Sequence, residues 1–465
     1  MKAVRFSKKS VAPMTTMVLD FAVSEEDSGF LFDLQRKYSP VIRFAYNRFI
    51  SGKKITEVNQ EVARIFSGYD SWILASCVYE AKGMAAVDTE NDGKIKKRIF
   101  GGRTNMRLRR EGKITGEEYK QRRISPLPVV GEALPKGNRK FLLDIENKKI
   151  IFKCSKNKHI ELNLTENLKG KRKQELERLQ ILMQCSELPV SIKINKNKIF
   201  LSYSIEKLEH RFDRKYRPKS DRFMAIDMNP NHIGIVIYDN AAKKVLHQEL
   251  INFQQLTIKS KESSSSKKSK YLDNKLDHET IQAAKYLIRL AKSFNVGVFA
   301  KEDLNIKSKD AQKGKRFNRL AINVWKRNLL DRILTKDCYL AGIRVMSIHC
   351  AYSSVIGNVH YEIPDPCAAA SEICRRAIQK TSEKSITYPQ IAPSSYFLNL
   401  WKKNGNVDEM GSLLGTASWK IFNELVKKSK LRYRFPIPEE SVFRELGSSK
   451  TKCKHLVLPI VQYVL

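Results

Sequence analysis

Five short apolar runs after Asp221 constrain this 465-residue chain more than any other feature. They are FMAID (Phe223 to Asp227), HIGIVIYD (His232 to Asp239), KVLHQELI (Lys244 to Ile251), VGVFAKE (Val296 to Glu302) and GIRVMSI (Gly342 to Ile348). Each is short, rich in β-branched residues and bounded by turn formers, the pattern of strands. Between them, Asp277 to Lys292 and about Asn318 to Leu340 read as helices, and Ile281, Ala284, Leu287, Ile288 and Ala291 mark a buried stripe on the first. Strands alternating with helices predict an α/β domain over residues 221–381, opening with a hairpin.

Two of these strands end in acids. Asp227 follows four apolar residues and precedes the chain-turning Asn229-Pro230-Asn231, and Glu302 closes VGVFA ahead of Asp303-Leu304-Asn305. If the two strands are neighbours, the acids meet although they lie 302 − 227 = 75 positions apart. A third acid, Asp365, stands before Pro366 and a run containing Ala368, Ala369, Ala370, Ile373 and the pair Arg375-Arg376. Phosphodiester cleavage with two magnesium ions about 4 Å apart needs such a carboxylate group, and a bound cation offsets the cost of burying unpaired acids. Taken singly, each has a plainer role: a strand-end acid forms a turn, and an Asp before Pro caps a helix. Together, Asp227, Glu302 and Asp365 are candidate catalytic residues and ligands for Mg2+, with Mn2+ as a substitute. His278, His349 and His360 lack metal-pair spacing, and neither G-x-S-x-G nor a P-loop is present, which argues against acyl and P-loop nucleotide chemistry.

The remaining sequence predicts four further segments. Residues 1–29 read as strands, and residues 30–124 as a helical domain in which Leu31, Leu34, Tyr38, Ile42, Ala45 and Phe49 keep helical spacing and Pro40 starts or kinks a turn. Residues 125–220 are β-rich, a barrel or sandwich interrupted by a helix from Lys169 to Cys185 and completed by the N-terminal strands. Residues 382–465 contain Trp401, Lys402, Lys403, Trp419 and a basic run from Lys427 to Arg434, a mixture that suits stacking on single strands; the tryptophans fit a core equally well. Residues 259–270, KSKESSSSKKSK, read as a flexible basic insert.

Charge points to the partner. Lys and Arg number 86 against 49 Asp and Glu, a formal +37 spread along the chain, which favours nucleic acid. Arg103, Arg109 and Arg110, beside Gly101-Gly102, are candidate phosphate contacts, although any one of them is equally an ordinary surface residue. No apolar run reaches transmembrane length and no cleavage signature is present, so the expectation is a soluble cytoplasmic protein with no membrane partner. No two of the eight cysteines are separated by only two residues, which argues against a zinc ribbon and for reduced thiols.

The same motifs carry a family resemblance. IDMNPNHIGIVIYD, AKEDLNI and DPCAAASEICRRA resemble the three RuvC motifs of transposon-encoded TnpB proteins and compact type V CRISPR effectors. Looser similarity covers LDHETIQAAKYLIRLA, WKRNLLDRILTKDCYLAGIRV, Tyr352-Ser353-Ser354 and, upstream, GNRKF and IIFK. The resemblance implies a multidomain α+β chain: an RNase H-like (RuvC) α/β domain in the C-terminal half, an upstream β-barrel wedge domain and a helical recognition domain. It implies an RNA-guided DNA endonuclease that binds a guide RNA, recognises a short motif beside its double-stranded DNA target and cuts at one Mg2+-dependent site. Asp227, Glu302 and Asp365 would hold the metal, Arg375 or Arg376 would steady a phosphate, and two copies on one RNA are compatible with it. The setting would be a prokaryotic cytoplasm with its nucleoid, or a phage or other mobile element. The family's four-cysteine ribbon between the second and third motifs has no counterpart in the short stretch from Ile348 to Asp365, leaving residues 382–465 as its substitute. Two alternatives remain: a guide-dependent DNA-binding repressor without efficient cleavage, and a guide-independent RuvC-like nuclease or transposase.

Overall fold

The computed structural model describes residues 13–89, 97–154, 158–208, 211–253, 266–303, 325–382, 385–404, 407–436, 444–445 and 454–460. The chain divides into two compact units, Met1–His210 and Arg211–Leu465. The division falls ahead of the expected boundary at 220, because the approach to the second sheet already belongs to it: the Tyr216 hydroxyl donates to the carbonyls of Ala291 and Val296 at 3.2 and 2.7 Å.

The first unit joins helices to an antiparallel sheet. Helix α1 (Glu25–Ile50) starts at Ser24, whose hydroxyl accepts from the Asp27 amide, and Glu25, Glu26 and Asp27 complement its dipole. The helix runs through Pro40 rather than starting or stopping there. A proline inside a helix costs about 3 kcal/mol, and the buried face formed by Tyr38, Val41, Ile42 and Ala45 outweighs it. That face packs on α3 (Ser71–Thr89), beside α2 (Ile55–Ile65). Two short helices follow, α4 (Arg103–Arg110) and α5 (Gly116–Arg122).

Seven strands complete this unit: β1 (Met14–Ala22), β2 (Leu127–Val129), β3 (Phe141–Asp144), β4 (Lys149–Lys153), β5 (His159–Leu164), β6 (Ser191–Asn195) and β7 (Lys198–Ser204). Helix α6 (Gly170–Gln184) lies between β5 and β6 in the chain. The sheet order is β2-β6-β7-β1-β5-β4-β3, and among the described residues no pairing joins β2 to β3, so the expected closed barrel is an open sheet. Strand β1 explains the shape: Met14–Asp20 pair with β7, whereas Phe21 and Ala22 pair with β5. One strand thus hands the ladder from one partner to the next instead of closing it.

The second unit is a mixed sheet between helical layers. Its strands are β8 (Lys219–Met228), β9 (His232–Asp239), β10 (Lys244–Asn252), β11 (Val296–Glu302), β12 (Arg344–Ile348), β13 (Arg444–Glu445) and β14 (Lys454–Val457), in the order β12-β11-β8-β9-β10-β14-β13. The β8–β9 hairpin is antiparallel, while β11 lies parallel to both β8 and β12. Alternation along β8 assigns its faces. Met224, Ile226 and Met228 join a core with helices α7 (Ser266–Ser293) and α8 (Arg327–Ala341). Phe223 and Ala225 join the opposite core with helix α10 (Asp365–Ser382), which follows the short helix α9 (Ser353–His360).

Of the expected flexible insert at 259–270, residues 259–265 lie outside the described residues, and Ser266–Lys270 are helical as the start of α7. The part of the expected second helix from Asn318 to residue 324 also lies outside them. In the C-terminal segment, α11 (Ser395–Asn404), α12 (Val407–Gly411) and α13 (Trp419–Ser429) follow, and Phe397, Trp401, Trp419 and Phe422 form an apolar core with Val355, Ile356 and Val359 of α9. Trp401 and Trp419 are fully buried, so neither is a stacking surface for bases. Among the described residues no helix is long and apolar enough to cross a membrane, and no cysteine is paired.

Candidate catalytic site

The sheet register brings two acids together. Lys301 lies opposite Ile226 on the parallel β11–β8 ladder, so the next step sets Glu302 beside Asp227. Both continue the face occupied by Phe223, Ala225, Val298 and Ala300, the side covered by α10. Asp227 is 3 % and Glu302 8 % exposed.

The third acid arrives from above that face. Gly234, opposite Asp227 on β9, is required for the approach: a Cβ there would stand 2.1 Å from the Pro366 carbonyl. The α10 helix begins at Asp365, with the Ala368 amide donating to the Pro364 carbonyl at 3.0 Å. Asp365 is therefore not a capping residue in this fold; its carboxylate accepts from Asn358 and pairs with Arg434 at 3.3 Å.

Electrostatics separates the pair from the third acid. The Asp227 and Glu302 carboxyls share a hydrogen bond, and burial together with the neighbouring Glu302 charge pushes Asp227 well above the ordinary carboxylate range. Glu302 is also raised by burial, an effect opposed by its bonds from Asp227 and Ser353 and by the nearby Arg376 charge. Each of the two acids makes ionisation of the other costlier. Asp365 acts on Asp227 through charge alone. Among the described residues, no group of three or more His, Cys, Asp or Glu side chains is arranged to hold a metal ion.

The partners of the three acids were largely illegible in the sequence. Asn229 donates to Asp227 at 2.6 Å, Ser353 donates to Glu302 at 3.2 Å, and Asn358 donates to Asp365. Asn229 sits in the Asn-Pro-Asn turn and Ser353 in the Tyr-Ser-Ser segment, but nothing distinguishes Asn358 by sequence. Arg434 ends the basic run, and rings on either side anchor its segment, Tyr433 against Phe397 at 5.9 Å and Phe435 against Tyr396 at 4.9 Å.

Both arginines of the α10 pair are engaged within the protein. Arg375 makes two bonds to Glu372, at 2.7 and 2.9 Å, and one to the Thr387 carbonyl. Arg376 is fully buried, bonding Glu372 at 2.7 Å and the carbonyls of His349 and Ala351 at 2.6 and 2.9 Å. Arg376 braces the segment leading into α9, whereas Arg375 ties its own helix to the stretch that follows it. Arg103, Arg109 and Arg110 are exposed on α4, in the first unit.

Comparison with known proteins reaches only part of the chain. A family model described as the SSO2105 N-terminal domain matches residues 16–209. No curated protein matches the chain. Among solved structures, a Cas12f1-sgRNA-target DNA complex aligns at 11 % identity and a TM-score of 0.41, covering 76 % of this chain and 83 % of that one. A CRISPR-Cas12f ternary complex aligns at 10 % identity and a TM-score of 0.28, covering 80 % and 79 %. Scores this low leave the reading of the site to the chain's own residues.

Proposed function

We propose that this chain is an RNA-guided DNA endonuclease that cuts through one magnesium-dependent site formed by Asp227, Glu302 and Asp365. The observation that carries the reading is the side-by-side burial of Asp227 and Glu302 at strand ends, beneath the helix start that bears Asp365. A fold stabilised for its own sake pairs a buried acid with a cation or several donors. Among the described residues, the first two acids have each other and one neutral donor apiece, with the Arg376 charge acting at a distance.

The three acids offer oxygen donors, the kind a hard divalent ion prefers, although among the described residues they are not gathered into one ligand group. Bound magnesium would supply Lewis-acid activation of the attacking water and stabilisation of the leaving oxyanion. The chain's part is to keep Asp227 and Glu302 facing one another and Asp365 above them, with Asn229, Ser353 and Asn358 orienting each carboxylate. The guided part of the proposal rests on the +37 charge and on the resemblance of the three motifs.

The ion pair between Arg434 and Asp365 favours a second reading, a guide-dependent DNA-binding repressor whose third acid is neutralised. Expression with the native flanking locus, sequencing of bound RNA and a magnesium-dependent plasmid cleavage assay separate the cases. A discrete RNA with cleavage lost in Asp227→Ala is the expected result. Guided binding without cleavage by the wild type selects the repressor, and cleavage without any discrete RNA selects a guide-independent nuclease or transposase.

A further inference from the structure

Helix α9 has two faces. Val355, Ile356 and Val359 enter the apolar core shared with Phe397, Trp401 and Trp419. Ser353 and Asn358, also buried, turn instead to the acids. The Ser353 hydroxyl donates to Glu302 at 3.2 Å, and Asn358 Nδ2 donates both to the Ser354 carbonyl at 2.7 Å and to Asp365 Oδ1. Exchanging the two ends of the Asn358 amide would set oxygen against two oxygens, so its orientation is fixed by its neighbours. Its Oδ1 is buried and has no partner among the described residues, a cost that a residue kept for stability alone would avoid. Between the two donors, Gly357 locks α9 onto α10: a Cβ there would lie 2.2 Å from the Ala368 carbonyl.

We propose that Ser353 and Asn358 are positioning residues which fix the directions of the Glu302 and Asp365 carboxylates toward a divalent cation, and that α9 ties these directions to the packing of the C-terminal helices. The inference rests on the metal-dependent reading of the acids. Glu302 comes from a strand and Asp365 from a helix, and α9 is an element that bonds to both. A neutral donor suits the task, since it fixes the direction of a carboxylate without discharging it. A lysine or arginine in the same place would compete with the metal.

The test uses the full-length chain with its copurified RNA, as wild type, Asn358→Ala, Ser353→Ala and Ser353→Thr. Mn2+ binding is titrated calorimetrically without DNA, and the Mg2+ concentration giving half-maximal plasmid cleavage is measured at saturating target. Partners of metal-ligating carboxylates typically change affinity about 10–100-fold, so Asn358→Ala and Ser353→Ala should each weaken Mn2+ binding at least about tenfold and raise the Mg2+ requirement in parallel. Ser353→Thr, which keeps the hydroxyl, should restore binding to near the wild-type value. If Asn358→Ala fails to fold, Ser353→Ala decides the matter, because it removes a single oxygen. Wild-type Mn2+ affinity in both alanine variants, or no rescue by threonine, overturns the positioning role while leaving the metal site intact. A wild type that neither binds Mn2+ nor cleaves overturns the metal site as well.

Discussion

Glu249 and Asp227 lie in one sheet, on strands separated by β9, and each is almost fully buried, yet their surroundings drive them in opposite directions. Glu249 accepts from His247 at 2.8 Å, His455 at 2.6 Å and the Tyr286 hydroxyl at 2.8 Å. Burial raises its pKa, but these donors together outweigh burial and hold it below the ordinary range. Asp227 has one neutral donor and an acidic neighbour, and its pKa goes up. Glu372, buried as well, has its donors supplied by Arg375 and Arg376. Burial alone therefore does not separate these acids; the donors each one meets among the described residues do.

The largest expected effect separates the two kinds of acid by activity. Asp227→Ala should remove several kcal/mol of transition-state stabilisation, roughly a thousandfold in the plasmid cleavage rate, while leaving the chain no less stable in EDTA. A cleavage rate within tenfold of wild type would place the chemistry elsewhere. The reverse should hold at the braced acids. Arg376→Met removes one of the two cations on Glu372 and the donors to the His349 and Ala351 carbonyls, and should cost about 1–3 kcal/mol in denaturant unfolding. Glu249→Gln keeps the shape of its cluster but discharges it, and should cost about 1–3 kcal/mol by the same measurement.

Acidity sharpens the contrast. Asp227 and Glu302 are raised in the fold, so the stability they contribute is present below the ordinary carboxylate range and is lost as pH rises through their folded values. Glu249 is lowered, so its contribution is present above that range and is lost as pH falls through its folded value. Thermal midpoints recorded against pH in EDTA should thus show Asp227→Asn flattening the alkaline side of the profile and Glu249→Gln the acid side. A tenfold difference in proton affinity between folded and unfolded chains is worth about 1.4 kcal/mol, and identical profiles for the two variants would end the comparison. The smallest effect belongs to Arg434, whose side chain is 67 % exposed. Arg434→Ala should change stability by no more than about 1 kcal/mol, and a rise in cleavage would identify the ion pair with Asp365 as a brake.

The strands and two of the acids were legible because their signals are local. The unbroken apolar runs of FMAID and VGVFA mark strands buried on both faces, and an acid at the end of each run breaks the pattern, so Asp227 and Glu302 stand out from the sequence. The helical stripe at Ile281, Ala284, Leu287 and Ala291 is local in the same sense, and it is buried under the sheet, with Ile281 half-buried. Propensity misled at Pro40, where packing against α3 outweighed a missing amide, and at the expected barrel, where β1 changes partners midway.

What only the tertiary structure decided was partnership. That Asp365 meets Asn358, that Arg376 reaches the carbonyls of His349 and Ala351, and that Ser353 and Asn358 face two different acids are set by tertiary packing, in which α9 and α10 lie at a glycine's distance. The sequence specifies which carboxylates sit at strand ends, because each breaks an apolar run. Which of them remain without a neutralising partner is set by groups from distant segments, and no periodicity encodes those.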